Sequence, residues 1–536
     1  MAEDIDADVV IVGSGIAGAL AAYSLAKKGV KRIVVLEAGP RIERDKTVER
    51  FKTSAALDFS AGFPNEDWAP RPDWGNPGDD YIEQTGPAKI KTEYLRVVGG
   101  TTWHWSGSTP RFMPVDFRLR STYGVGMDWP ISYDDIEPYY TEAEEEIGVA
   151  GDSEDHGGSP RSKPYPLPPI PQSYCEKFIA DGVKGIGIKF LTRPVARASK
   201  PYNGRPQCVG FGTCSPICPS GAQYAAILHV ERAEKLGVKV LENTRVDRLV
   251  ADGDVKYVEA RKPDGTPVKV RAKIFIVAAN GIETPRLLMM SVSEKFPKGI
   301  ANSSGLVGRN YLEHPTLICR MIMPKPVYPG RGPETIVFSH SFRDGEFRKE
   351  RSGWTMTVAN RVHFHDIAND LISKGLEPPQ LDAALKDRLT REVELDANLE
   401  QIPDEKNGIT LNWDKRDRAG QPMMQHYYSF GAYEEAGFAH VRETFGRIEK
   451  TLGAEIVHSA GPVPVHHPMG MTRMGDNPRQ SVTDKWGRSH DHKNLFLLSG
   501  GLFPSCGTVN PTLTIAALSL RAADEIARQL GGRQKG

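Results

Sequence analysis

Residues 8–39, DVVIVGSGIAGALAAYSLAKKGVKRIVVLEAG, limit the possible folds of this chain more than any other segment. The apolar run over 8–12 predicts a short buried strand, and Gly13-Ser14-Gly15-Ile16-Ala17-Gly18 a tight turn. The Ala/Leu-rich stretch to about Lys28 predicts a helix, and residues 32–36 a second strand ending at Glu37. Glycines at 13, 15 and 18 permit the turn, let a pyrophosphate approach bare backbone at the helix N-terminus, and allow the helix to lie close on the sheet. Glu37, nineteen residues beyond Gly18, is placed to accept hydrogen bonds from a ribose. The exit through Ala38-Gly39-Pro40 lets an adenosine lie close to backbone, which favours FAD over NAD. With no second GxGxxG unit, one dinucleotide is the economical count.

One such unit leaves most of the 536 residues unexplained, and a chain of this length predicts two to four units. Lys plus Arg (68) equals Asp plus Glu (68), so no long-range field favours nucleic acid or an acidic membrane surface. The acidic opening MAEDIDADVVIVG has no signal-peptide character, and no run of about 18 apolar residues predicts a membrane span.

After an irregular stretch over 51–98, Val97-Val98-Gly99-Gly100-Thr101-Thr102-Trp103-His104-Trp105 sets bulky rings behind a glycine pair. These are either a wall around a planar ligand or core aromatics after a turn. Ser132-Tyr133-Asp134-Asp135 predicts a capped helix whose acidic run at 142–146 is a solvated face. Six prolines within 160–171 predict an extended strap. Strands are expected over 238–241, 245–250 and 273–279, the last running through Asn280-Gly281 into a helix over 284–291. Alternation over 354–364 and 408–413 predicts an antiparallel sheet in a second domain, with a charged helical insert near 379–396. The charge runs at 343–351 and 386–396 read as solvated faces.

Two groups of residues carry chemistry. His466-His467-Pro468-Met469-Gly470 precedes Gly507-Thr508-Val509-Asn510-Pro511-Thr512 by some forty residues. Adjacent histidines point in different directions, and with no HExxH pattern nearby a general base is favoured over a metal ligand. Cys208, Cys214 and Cys218 share one glycine-rich loop. Their spacing leaves open an iron-sulfur cluster, a zinc site lacking an adjacent fourth ligand, or free buried thiols.

Together GSGIAG, EAGP, VGGTTWHW, YDDIEPYY, AANGIETPRLL, VGRNYLEHP, HHPMG and GTVNPTLT resemble the glucose-methanol-choline (GMC) oxidoreductases along nearly the whole chain. The WHW segment and the cysteine loop are similar to the catalytic flavoprotein subunit of bacterial FAD-dependent sugar and polyol dehydrogenases. The resemblance implies an α/β fold: a split Rossmann-like FAD domain (1–110, 200–320, 460–536) and an α+β substrate domain (111–199, 321–459) on a mostly antiparallel sheet. It assigns FAD contacts to Gly13, Gly15, Gly18, Glu37, Ala38, Gly100, Thr101, Thr102, His104, Trp105, Val246, Asn280, Gly501 and Thr512. His467 is implied as the base that accepts the substrate hydroxyl proton and Asn510 as its partner, while His466 stands where related chains have asparagine. His104 either tethers FAD covalently or is a ring packed between Trp103 and Trp105. Cys208, Cys214 and Cys218 are implied as ligands of a 3Fe-4S cluster, although Val209 and the filler at 210–213 depart from the related pattern.

The implied function is oxidation of a sugar or polyol hydroxyl, with a glucose-like aldose favoured. Electrons would leave through the cluster to a multihaem cytochrome c partner. A small signal-bearing subunit would carry the folded chain to the periplasmic face of a membrane; without such a partner the chain would be cytoplasmic. Rival readings are an oxygen-using pyranose or glycoside oxidase, a lyase with a structural flavin, and a non-catalytic electron-transfer subunit.

Overall fold

A computed structural model of the chain describes residues 3–54, 62–70, 72, 81–90, 93–463 and 466–531. Much of the irregular stretch expected over 51–98 lies outside the described residues. The glycine unit forms as its sequence requires: strand Val9–Val12, helix Ile16–Lys27, strand Ile33–Leu36, with both strands fully buried. Gly13 is held at φ +97°, and a Cβ there would stand 2.7 Å from the carbonyl oxygen of Ala278. A Cβ on Gly18 would fall 2.0 Å from the Gly13 oxygen, so the missing side chains set how closely the helix lies on its strand.

These strands are the centre of a five-stranded parallel sheet in the order Leu495–Leu497, Ile274–Val277, Val9–Val12, Ile33–Leu36, Lys239–Leu241. The final strand therefore returns from the far end of the chain to pair with Phe275–Val277. A six-stranded antiparallel sheet follows the order Glu455–Val463, Thr316–Ile322, Glu392–Leu399, Trp354–Ala359, Val337–Ser339, Phe190–Thr192. This is the α/β fold with an antiparallel second sheet that the motifs imply.

The second sheet is amphipathic by the two-residue period of a strand. Trp354, Met356, Val358, Val393, Leu395 and Ala397 pack into one cluster with Phe438, Val441, Phe445 and Ile448 of the helix Ala432–Leu452. The alternate residues, among them Thr355, Thr357, Glu394, Asp396 and Asn398, occupy the opposite face. That polar face looks towards the parallel sheet, and the site lies between the two.

Three charge runs differ from expectation. The predicted cap at Ser132 is present, but Glu144 in the acidic run is buried and takes both Arg111 (2.8 Å) and Arg161 (2.5 Å), while Glu146 pairs with Lys27 (3.0 Å). The charged insert is a helix only over Gln380–Arg391 and becomes the strand Glu392–Leu399, whose Glu392 and Glu394 are buried. In the run at 343–351, Arg343 and Arg348 are buried, and Arg348 reaches Glu400 (2.5 Å) and Asp116 (3.1 Å). Charge can be buried where its partners arrive from distant segments, which composition does not reveal. Replacing Arg348 by Met strands two buried carboxylates, so Arg348→Met should cost about 3–5 kcal/mol, read as a lower urea midpoint.

Candidate active site

A cleft opens at the C-terminal edge of the parallel sheet as three connected cavities. The first, of about 140 Å³, is lined by Gly13, Gly15, Glu37, Ala38, Gly100, Val246 and Asn280. The second, of about 160 Å³, shares Gly15, Thr101 and Asn280 with it and adds Thr102, Trp105, His467, Gly500 and Thr512. The third, of about 260 Å³, shares Thr101, Trp105, His467 and Thr512 with the second and adds His104, Ser108 and Asn510. Helices Ile16–Lys27, Asn280–Met290 and Thr512–Gln529 all present their N-termini to this cleft. The first turns of Ile16–Lys27 and Thr512–Gln529 and the dipoles of all three helices make it a receptor for an anionic diphosphate and for negative charge at the ring end of a dinucleotide, while in Asn280–Met290 the Asn280 Oδ1 already accepts from Ile282 N (2.8 Å) and Glu283 N (3.0 Å). No side chain stands in the way at Gly15, where a Cβ would have nothing within 4 Å. The residues therefore fit an FAD laid from the first cavity into the second.

Most of the expected cofactor residues line this cleft, with three qualifications. Glu37 lies at the first cavity, but its carboxylate already accepts from Ser14 N (3.0 Å), Ser14 Oγ (2.6 Å) and Gly39 N (3.0 Å), so it also ties the glycine turn to the second strand. Gly18 does not face the cavities and acts through helix packing. Gly501 also lies behind the wall: a Cβ there would meet Thr472 Oγ1 at 2.4 Å, while its neighbours Ser499 and Gly500 do the lining. His104 lies at the third cavity, with its ring edge-on to Phe63 (5.7 Å between centroids). Trp103 is buried and donates to the Val98 oxygen (2.9 Å), whereas Trp105 donates to the Tyr224 oxygen (2.8 Å) and forms cavity wall.

At the junction of the second and third cavities His467 Nε2 lies 3.0 Å from Asn510 Nδ2. Ser108 Oγ donates to Asn510 Oδ1 (2.7 Å), which turns the amide so that its nitrogen donates to the histidine. On the other side His467 Nδ1 is 2.9 Å from His314 Nδ1. His314 was not selected from the sequence, although it stands within VGRNYLEHP. Its Nε2 faces two acceptors, the carbonyl oxygens of Cys506 (3.2 Å) and Gly507 (3.1 Å), and must carry hydrogen. Burial pushes the His314 pKa down to about 4, so its Nδ1 keeps a lone pair. His467 Nδ1 must then be the donor, which leaves the lone pair of this neutral imidazole on Nε2, pointing at Asn510. Glu313 clamps both backbones, accepting from His314 N and His467 N, each at 2.7 Å. Burial, then His314, His466 and Arg193, hold the His467 pKa well below its usual 6.5. The pair can take a proton from a hydroxyl placed at Nε2.

The cysteine loop departs from expectation. Cys208, Cys214 and Cys218 line one small cavity with Arg197 and Gln223, yet among the described residues no three His, Cys, Asp or Glu side chains are grouped to hold a metal ion. Burial pushes the Cys214 thiol up to about 11. Burial acts on Cys218 in the same sense, but Gln223 N–H, the Ser220 hydroxyl and Arg44 outweigh it and lower that thiol. The expected cluster ligation is therefore not formed by this arrangement.

If His314 sets the tautomer of His467, His314→Phe should lower kcat by about 100-fold at unchanged FAD content, measured by stopped-flow flavin reduction and absorbance.

Comparison with known proteins agrees with the geometry. Family models described as GMC oxidoreductase match residues 171–316 and 403–519, and one described as FAD dependent oxidoreductase matches residues 8–48. The chain is 39% identical to the fructose dehydrogenase large subunit of Gluconobacter japonicus, over 98% of this chain and 99% of that protein. It is 29% identical to the 2-methyl-1,2-propanediol dehydrogenase of Mycolicibacterium austroafricanum, over 97% and 95%. Among solved structures, pyridoxine 4-oxidase from Mesorbium loti superposes with a TM-score of 0.63 at 17% identity, covering 99% of this chain and 100% of that one. The dinucleotide cleft, the histidine–asparagine pair at its inner end and the near full-length match to a relative place this chain in the GMC oxidoreductase family.

Proposed function

We propose that this FAD-dependent enzyme oxidises a secondary or anomeric hydroxyl of a sugar or polyol, with His467 as base and Asn510 as its partner. The observation that carries this reading is the position of His467 Nε2, an imidazole lone pair at the meeting point of the flavin cavity and a polar cavity. FAD, when bound, supplies the acceptor for the hydride from the carbinol carbon. The protein's own residues handle the proton and the oxygen. Asn510 Nδ2 donates to the hydroxyl oxygen and holds it at His467. His467 Nε2 takes the proton as the C–O bond gains double-bond character, and His314 stabilises the resulting imidazolium by accepting from Nδ1. Trp105, Thr101 and Thr512 form the wall of the second cavity beside this point.

The choice of sugar belongs to the same proposal. The glucose-like aldose implied by the motifs has less support than a ketose or polyol, because the relative matched over 99% of its length is named for fructose. That relative's designation as a large subunit also supports an assembly in which a signal-bearing subunit carries the chain to the periplasmic side and a cytochrome receives the electrons. Among the described residues no helix is long and apolar enough to cross a membrane. No electron step is routed here through Cys208, Cys214 and Cys218, and His104 as a covalent tether stays a proposal that acid precipitation tests.

Anaerobic mixing with D-fructose, D-sorbitol and D-glucose should bleach the flavin with at least one of the first two. Turnover should be faster with an artificial electron acceptor than with oxygen; the reverse order would favour the oxidase reading. His467→Ala should lower kcat/KM by about 10²–10⁴-fold while FAD stays bound. The base must be neutral, and its pKa is depressed, so protonation sets in only at acid pH. kcat/KM should hold level from about pH 8 down through 6.5 and fall only below that value.

A further inference from the structure

The far wall of the third cavity is the polar face of the six-stranded sheet and its edge: Thr357, Asp396, Asn398, Arg361, Glu334 and Arg193. Most of these groups are committed to one another. Arg361 spans Glu394 (3.1 Å) and Asp396 (3.0 Å), Asn398 Oδ1 accepts from Thr316 Oγ1 (2.6 Å), and Glu334 Oε2 accepts from Ser215 N (3.3 Å). Two groups are not.

Arg193 follows the edge strand Phe190–Thr192 and is only 6% exposed. Its backbone N–H is held by Ile336 O (2.6 Å), which aims the side chain from the sheet edge into the cavity. Its Nε is buried with no hydrogen-bond partner, and no described carboxylate pairs with the guanidinium. The Phe338 ring, 5.9 Å away, supports one side of it. Although burial lowers its pKa to about 10, it is a cation at neutral pH. On the same wall Asp396 gives Oδ2 to Arg361, while its Oδ1 is buried with no donor of its own; burial and the adjacent Glu394 carboxylate raise the Asp396 pKa to about 7.

A buried donor and a buried acceptor left unsatisfied at one cavity wall define what the cavity takes. Water alone would be displaced by substrate, so the substrate must replace it. A carboxylate would satisfy Arg193 but lie against the Glu334 and Asp396 carboxyls of the same wall, and its charge would push the Asp396 pKa higher still. An alcohol with one hydroxyl spends it at His467 and leaves both groups unpaired. A neutral chain of hydroxyls satisfies both, because each hydroxyl can donate and accept. We infer that Arg193 and Asp396 are the selectivity residues of this enzyme, binding hydroxyls remote from the one oxidised and restricting it to neutral polyhydroxylated substrates. This rests on the sugar or polyol reading above. It adds that selectivity is set by the second sheet, at residues that do not themselves take the proton, although the Arg193 charge also helps to keep His467 neutral.

The test uses the holoenzyme with D-fructose, D-sorbitol and D-gluconate, an artificial acceptor, and FAD content as the check on folding. Measured at pH 8, where His467 is neutral with or without the Arg193 charge, Arg193→Met and Asp396→Asn should each raise KM for the better neutral substrate by about tenfold or more, with kcat within about threefold, because the loss is then in binding of remote hydroxyls. Arg193→Lys, which keeps a donor cation, should recover most of that loss. Unchanged KM in both variants would overturn the assignment, as would loss of FAD in Arg193→Lys and Asp396→Asn alike, which marks a structural role. Preference of the unmodified enzyme for D-gluconate over both neutral compounds would also overturn it, since it makes Arg193 a carboxylate receptor. Failure of every sugar and polyol to bleach the unmodified flavin is a different result, because it removes the dehydrogenase reading itself and this inference with it.

Discussion

The segment at 505–510 supplies the carbonyl oxygens that fix His314 and the amide that faces His467, and buried charge holds it from beneath. Arg348 bridges Glu400 and Asp116 with no access to water. Beside it Arg343 Nε donates to Thr508 Oγ1 (3.1 Å), and Thr355 Oγ1 donates to the Thr508 oxygen (3.0 Å). Trp129 donates to Ser505 Oγ (2.9 Å), and Cys506 is held by the backbone of Gln401. Such ions add little net stability over a well-packed apolar core, but their geometry is narrow and their disruption severe. Their contribution here is positional: a shift of the segment would move both the Asn510 amide and the oxygens that choose the tautomer of two histidines.

The two sheets divide the work. The parallel sheet ends in a row of helix N-termini and glycine backbone, suited to a long anionic cofactor. The antiparallel sheet turns its apolar side to the helix Ala432–Leu452 and its polar side to the cavity. His314 lies just before the strand Thr316–Ile322, while His467 and Asn510 come from the C-terminal stretch that rejoins the parallel sheet. The histidine pair is thus a bond across the seam, and the site exists only when both sheets are in place.

What could be read from the sequence was local. Glycine spacing, strand runs and the capping box are determined by neighbours within a few residues, so the dinucleotide unit and the capped helix at Ser132 were legible before any contact was known. Burial of charge was not legible. Glu144, Arg348 and Asp396 sit in runs that look solvated, and their partners lie tens to hundreds of residues away. His314 was read as part of a motif but given no role, because the two oxygens that fix its tautomer are 192 and 193 residues further on. That Ser499 and Gly500 line the cavity while Gly501 packs against Thr472 depends on backbone direction in the turn, which glycine alone does not encode. The cysteine spacing permitted a cluster but could not say how the thiols converge.

The alternation of the strand Glu392–Leu399 has a consequence for how such a chain diverges. The residues on its cavity face and the apolar residues behind them belong to separate sets, the latter packed in their own cluster against the long helix. Nor does that face supply any of the hydrogen bonds that orient His467. A lineage can therefore exchange one alcohol for another through a few alternate positions of one sheet, while the proton chemistry is inherited untouched on other segments of the chain.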